Sequence, residues 1–235
     1  METKLQPLLD ARALVERGSV KAALDQLAKF REAEPDNVAG AKLCAELYFR
    51  LGRRDDAFTC AMHAYNLDPA DMVYGLDCAY NLIRDGRRHD ALRVAELLAA
   101  QDSEDPHLRD ALGTVFTYCE RPEQALPHFE FACAALGNDP QFLYNLASVQ
   151  RMTGATKAAQ ESLTRAVRLA PQDGRLHLAR AALRRQTPDL NQVEELRTAL
   201  ARSVGGEDRI YLQYALAKEL EDLGRYRESF AALSS

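Results

Sequence analysis

The sequence of 235 residues lacks tryptophan and has no run of the roughly 20 apolar residues that a membrane helix needs. Its start, Met1 to Leu5, lacks the apolar core of a secretory signal. Cysteine is sparse as well, with five residues and no CxxC pair, which excludes a disulfide framework and a common zinc site. We therefore expect a cytoplasmic protein that does not bind or cross a membrane.

The chain carries no large excess of positive or negative charge. The 30 basic residues are outnumbered by 35 acidic ones, giving a net charge of −5. Proteins that bind phosphate backbones usually carry a clustered basic footprint, and helical-repeat RNA binders also place base-reading side chains at equivalent positions of each repeat. The sequence shows neither pattern, so RNA binding is the least favoured of the functions considered and we expect no nucleic-acid partner.

The motifs of common active sites are absent too. There is no GxGxxG or GxxxxGK phosphate loop, no HExxH and no GxSxG. Cys60 and His63 lie three positions apart and could face one side of a helix, but two ligands do not make a tetrahedral metal site. We expect no catalytic residue, no cofactor and no metal, and we interpret this chain as a non-enzyme.

What the sequence does contain is a repeat of 34 residues. Two positions of the repeat hold small residues in all five copies: Ala11, Ala45, Ala79, Gly113 and Ala147 at the first, and Ala23, Ala57, Ala91, Ala125 and Ala159 at the second. A third position holds glycine in four copies: Gly18, Gly52, Gly86 and Gly154. A constant spacing kept over this many copies indicates that one supersecondary unit is repeated end to end. Stacked copies form an elongated array in which each copy contacts its neighbours.

The second copy, residues 38–71, gives the clearest local signals. Asp36 and Asn37 can cap a first helix, which Gly52 ends by turning the chain back in the left-handed conformation. A second helix is expected from Asp55 to Leu67, and the sequence Asp68-Pro69 stops it. The repeating unit is therefore predicted to be a pair of antiparallel helices.

This pattern resembles the tetratricopeptide repeat, whose small residue, turn glycine, alanine and terminal proline correspond to Ala45, Gly52, Ala57 and Pro69. The resemblance implies an all-α fold, a right-handed α-solenoid of antiparallel helix pairs. It places five repeats at 4–37, 38–71, 72–105, 106–139 and 140–173, a degenerate sixth at 174–207, and the first helix with a shortened second helix of a seventh at 208–235.

Two departures from the family pattern are notable, and two cysteines share one repeat position. Gly75 occupies a position where the family often has tryptophan, so a looser contact is expected there. Glu120 replaces the turn glycine of the fourth repeat, and Pro122 is expected to open the next helix instead. Cys44 and Cys78 occupy the same repeat position, and we expect both thiols to be small buried apolar groups.

In the tetratricopeptide family the inner face of the first helices holds the ligand. The corresponding positions here are Arg12, Glu16, Lys42, Glu46, Arg50, Tyr80, Arg84, His107, Asp110, Tyr118, Tyr144 and Arg151. Tyrosine and arginine are enriched at binding hot spots, and arginine pairs with carboxylates. Arginine late in a helix is equally expected from the helix dipole, and tyrosine can pack between helices. The candidate partner-binding residues are Arg50, Tyr80, Arg84, Tyr118, Tyr144 and Arg151.

The resemblance therefore implies a non-catalytic scaffold that binds a protein or peptide in its concave groove, and the arginines of that face favour a partner with acidic groups. A second interpretation starts from the segment 184–224, which is similar to the junction in bacterial sulfotransferases that carry amino-terminal tetratricopeptide repeats. On that interpretation the repeats would position a substrate protein or form a homodimer, and a catalytic domain would follow Ser235. The end of the chain inside a predicted helix leads us to expect further sequence there.

Overall fold

The protein is described by a computed structural model that covers residues 2–203 and 206–234. These residues form fourteen α-helices and no β-strand apart from one isolated bridge between Thr187 and Leu190. In chain order the helices are α1 (Glu2–Glu16), α2 (Val20–Ala33), α3 (Val38–Arg50), α4 (Arg54–Leu67), α5 (Met72–Arg84), α6 (Arg88–Ala99), α7 (Pro106–Tyr118), α8 (Pro122–Ala135), α9 (Pro140–Met152), α10 (Thr156–Leu169), α11 (Gly174–Ala182), α12 (Val193–Arg202), α13 (Glu207–Asp222) and α14 (Tyr226–Leu233).

The helices pack as pairs of chain neighbours. α1 packs on α2, α3 on α4, α5 on α6, α7 on α8, α9 on α10 and α13 on α14. The chain divides into two compact units, residues 1–101 and 102–235, each of which is described by itself. The all-α repeat fold predicted from the 34-residue spacing is confirmed, while the handedness of a superhelix and the limits of the individual repeats stay predictions.

The turns inside the helix pairs are made by residues in the left-handed conformation. Gly52 has φ +72°, its N–H binds the carbonyl of Phe49 at 3.0 Å, and the next N–H binds the carbonyl of Tyr48 at 2.9 Å. Glu120 has φ +60° and repeats this bonding with Thr117 and Phe116. The turn of the fourth repeat is thus kept without glycine, and Pro122 begins α8 after it.

Side-chain caps begin several of the first helices. The Asn37 amide oxygen accepts a hydrogen bond from the Gly40 N–H at 2.8 Å, so Asn37 is the capping residue of α3. Asp105 and Asp139 cap α7 and α9 in the same way, and in both helices proline follows the cap. Proline costs nothing at this position because its missing donor would have had no partner inside the helix.

The expectation of a loose contact at Gly75 is wrong. Gly75 is buried, and a β-carbon added to it would lie 2.5 Å from Cδ2 of Leu98. Leu98 itself is fully buried on α6. The glycine therefore allows a leucine of the paired helix to approach the α5 backbone, where a side chain would have held it away.

The expectation of a degenerate sixth repeat falls on α11 and α12, which have nine and ten residues. α11 packs mainly on α13, and the segment 183–192 connects it to α12. Polar side chains of α13 hold this connection. Asp222 accepts hydrogen bonds from the Gln186 N–H at 2.8 Å and from Lys218 at 2.6 Å, and the fully buried Glu219 accepts one from the Gln192 N–H at 2.5 Å.

Candidate partner-binding surface

A cavity of about 290 Å³ lies between α3, α4 and α5 in the first unit. Its lining comprises Lys42, Ala45, Glu46, Phe49, Arg54, Ala57, Phe58, Ala61, Tyr74, Asp77, Cys78, Asn81, Leu82, Arg84 and Asp85. We call this space the α3–α5 cavity. Three of the predicted inner-face residues, Lys42, Glu46 and Arg84, contribute to it.

The floor of the α3–α5 cavity is apolar. Phe49 and Phe58 are half-buried there, and the small side chains of Ala57 and Ala61 line the same space. Cys78 is half-buried, and burial raises the pKa of its thiol to about 11, so the thiol is protonated and uncharged at neutral pH. The expectation that Cys78 would be fully buried is therefore wrong, although Cys44 at the same repeat position is fully buried.

One side of the cavity is fixed by an ion pair. Asp71 caps α5 by accepting the Tyr74 N–H at 2.9 Å, and its second oxygen lies 2.5 Å from Nζ of Lys42. The Lys42 ammonium also lies 4.7 Å from the centroid of the Tyr74 ring, within the range of a cation–π contact. The Lys42 bond holds the pKa of Asp71 below its usual value. Lys42 is thus engaged in holding α3 against α5.

Two charged side chains of α5, Arg84 and Asp77, are not engaged in holding one helix against another. Arg84 is exposed, donates a hydrogen bond to Oδ1 of Asn81 at 2.7 Å, and lies 5.8 Å from the centroid of the Phe49 ring. Asp77 is exposed, and within the described part of the chain its carboxylate forms no ion pair or hydrogen bond. Both side chains lie on the rim of the apolar floor.

The other inner-face candidates of the first unit surround Glu46. Arg12 donates to both carboxylate oxygens of Glu46 at 2.6 Å, and Arg50 lies 3.8 Å from the same carboxylate. Arg50 is exposed, whereas Tyr80 is half-buried and outside the lining of the α3–α5 cavity. The structure therefore places Arg50 at the end of α3 and Arg84 at the end of α5, and of these three candidates only Arg84 lines the cavity.

The second unit carries the remaining candidates. Tyr118 at the end of α7 is 55% exposed, Arg151 on α9 is exposed, and Tyr144 on the same helix is half-buried. Asp110 accepts two hydrogen bonds from the Asn145 amide at 2.9 and 3.0 Å, and burial raises the pKa of this carboxyl. Asp110 is thus occupied between α7 and α9, while Tyr118 and Arg151 remain accessible.

Sequence reasoning missed the residues that make the cavity apolar. Phe49, Phe58 and Asp77 are not among the partner-binding residues predicted from the sequence. A signal was present, since the places equivalent to Phe49 and Phe58 in the next repeat hold Ile83 and Leu92, and no other repeat has an aromatic residue at either place. This sequence difference does not show whether other side chains cover the rings of Phe49 and Phe58.

Within the residues that the structure describes, no group of three or more His, Cys, Asp or Glu side chains could hold a metal ion. Among the described helices none is both long enough and apolar enough to cross a membrane. All five cysteines are free thiols.

Comparison with known proteins identifies the family. Two models of the tetratricopeptide repeat match the sequence, one over residues 10–140 and the other over residues 140–173. The chain belongs to the tetratricopeptide repeat (TPR) family. TPR arrays are scaffolds for protein interactions, and this general role extends to the present chain. No curated protein matches the sequence.

Solved structures of TPR proteins share the fold. A TPR protein from Cytophaga hutchinsonii has a TM-score of 0.60 at 13% identity, covering 98% of this chain and 87% of that one. YrrB, described as a TPR protein with an unusual peptide-binding site, has a TM-score of 0.54 at 15% identity, with coverage of 89% and 98%. PilF of Pseudomonas aeruginosa has a TM-score of 0.53 at 19% identity, with coverage of 98% and 97%. At these identities the likeness shows the fold alone.

Proposed function

We propose that this TPR protein binds a segment of a partner protein on the face formed by α3 and α5, and that acidic groups of the segment contact Arg84 and Arg50. The observation that carries the proposal is the position of Arg84. Its guanidinium is exposed at the rim of an apolar cavity and has no carboxylate partner among the described residues. Arginine in this state offers several donors to a carboxylate of the ligand.

The shape of the site agrees with peptide recognition. Binding energy is concentrated where large side chains enter well-packed apolar pockets, and the surrounding polar contacts set the orientation. Helix-lined grooves accept extended or helical segments in this way. YrrB, which shares the fold, is described as having a peptide-binding site, and we extend that role to this chain as part of the proposal.

Tyr118, Tyr144 and Arg151 are proposed as a second contact set, on the second unit. Tyr118 offers a rigid and exposed aromatic surface, and Arg151 is an exposed cation on α9. The cytoplasmic location, a homodimer and the relation to sulfotransferases stay predictions. The matching family models describe the repeat and carry nothing about a catalytic domain.

Selection of random displayed peptides on the full chain tests the proposal. We expect enrichment of peptides that contain acidic residues, and we expect Arg84→Glu to weaken the binding of a selected peptide about tenfold or more, because an attractive charge contact becomes repulsive. Arg93→Glu makes the same change of charge at an exposed position of α6, in the same unit, and should leave binding unchanged. Equal affinity of the Arg84→Glu protein and the unaltered protein would contradict the proposal.

A further inference from the structure

Resting on the proposed function, we infer that the α3–α5 cavity takes one large apolar side chain of the bound segment, flanked by an acidic residue on the Arg84 side and a basic residue on the Asp77 side. The occupant is therefore a segment of mixed charge with an apolar anchor, and a purely acidic tail would not satisfy the site.

The size and surface of the cavity support a single anchor. Its volume of about 290 Å³ lies at the lower limit of ordinary ligand pockets, which hold drug-sized molecules. Phe49 and Phe58 supply aromatic surface, and the protonated Cys78 thiol adds no charge. Water against this apolar floor finds few polar partners, so a leucine, methionine or phenylalanine side chain that replaces it there is favoured by apolar burial.

The charges around the cavity select the flanking residues. Six charged residues line it, and four of them have partners within the protein. Lys42 pairs with Asp71 at 2.5 Å, Glu46 with Arg12 at 2.6 Å, and Arg54 with Asp85 at 3.4 Å.

Asp77 and Arg84 are the two charges that remain for a ligand. Because a partner segment must replace water at both, each favours the opposite charge.

The geometry of α5 sets the spacing of the flanking residues. Asp77 and Arg84 are seven positions apart, which places them on the same face of the helix with about 10.5 Å of rise between them. An extended segment advances about 3.3 Å per residue. Its basic and acidic residues should therefore lie about three positions apart, with the apolar anchor between them.

The test is a selection of random displayed nonapeptides on the full chain and on two variants. The unaltered protein should enrich peptides with an apolar residue between one basic and one acidic residue. Asp77→Lys should enrich peptides in which the basic residue is replaced by an acidic one, giving acidic residues on both sides of the anchor. This outcome does not depend on the direction in which the peptide lies. Arg93→Glu, a charge change outside the cavity, should enrich the same motif as the unaltered protein.

A second measurement examines the anchor itself. A fluorescein-labelled copy of the most enriched peptide should lose about tenfold or more in affinity when its apolar residue is replaced by alanine, and Cys78→Phe, which fills the cavity, should cause a similar loss for the intact peptide. Circular dichroism checks that the variants keep their helices. If Cys78→Phe does not fold, the alanine-substituted peptide and Asp77→Lys still decide the question.

The outcomes separate this inference from the proposed function. Peptides that bind in an Arg84-dependent way but share no apolar residue, or whose flanking charges do not change with Asp77→Lys, would overturn the inference and leave the proposed function standing. Failure of every form of the protein to enrich any peptide would overturn both.

Discussion

His128 shows how a single residue can set the response of the fold to acid. It is buried on α8, its ring stacks on Phe116 with centroids 5.5 Å apart, and its Nδ1 accepts a hydrogen bond from Arg109 at 3.1 Å. Burial, with the nearby Arg109 cation, lowers the pKa of His128 to about 4, and Asp102 opposes this shift. The native protein therefore keeps this imidazole neutral at a pH at which an unfolded chain would protonate it.

The pKa of His128 predicts a loss of stability in mild acid. The unfolded state takes up the proton as the pH falls below about 6.5, while the native state resists it until about pH 4. Stability should thus be complete above pH 6.5 and fall by up to about 3 kcal/mol between these values. Urea unfolding at a series of pH values measures the effect. His128→Asn, which keeps an acceptor for Arg109, should make the loss of stability in acid smaller. Part of the loss should persist, because burial also lowers the pKa of His177. The exposed His89→Gln should leave the profile as it is; equal profiles for all three proteins would rule the explanation out.

At the scale of helices, the packing of α5 on α6 depends on a glycine where the family pattern favours a large side chain. The Leu98 side chain fills the space beside Gly75 that a larger residue at position 75 would occupy. A core packed to this density does not accept even one added methyl group without movement. The contact is specific to this pair of residues.

A double substitution tests the contact between α5 and α6. Gly75→Ala should destabilise the protein by about 1 to 3 kcal/mol because the new methyl group collides with Leu98. In a Leu98→Ala background the same change should stabilise by up to about 1 kcal/mol, since alanine favours a helix over glycine. Thermal and urea unfolding of the four proteins give both values. The same sign in both backgrounds would show that Leu98 is not the cause.

These examples explain what could be predicted from the sequence. The residue types at Gly52 and Asn37 were sufficient to predict the turn and the helix cap at these positions. The 34-residue repeat was sufficient to predict the fold class. The cavity could not be predicted, because it depends on which side chains of three helices face one space. Cys44 and Cys78 share a repeat position, yet one is fully buried and the other lines the cavity. Repeat position fixes the direction of a side chain and leaves open what covers it.

At the scale of the whole molecule, each apolar core is confined to a few helices that are close in sequence. Leu8, Leu27 and Leu47 belong to a core of α1–α4, whereas Leu196 and Leu212 belong to a core formed with α11 and lie in the other unit. In repeat arrays stability is approximately a sum of the terms within repeats and between neighbours. A destabilising substitution in one core should therefore lower the stability mainly of the helices that form that core.

Native-state hydrogen exchange can test this locality. Leu212→Ala should create a cavity at a fully buried position and cost about 2 to 5 kcal/mol. Amide protection should fall in α11, α12 and α13 and should change little in α1–α4. The matched change Leu27→Ala in the first unit should give the opposite distribution. A uniform loss of protection along the chain in either variant would mean that the protein unfolds as one cooperative body.

The link between Asp71, Tyr74 and Lys42 has a consequence for the thermodynamics of recognition. The carboxylate that begins α5 also fixes the lysine at the wall of the α3–α5 cavity, so that wall is in place as soon as the helix has formed. A partner entering the cavity has little ordering to impose on the protein, and most of the conformational entropy lost on association must come from the partner itself. Titration calorimetry with a cyclised ligand should then show a clear entropic advantage over the linear form.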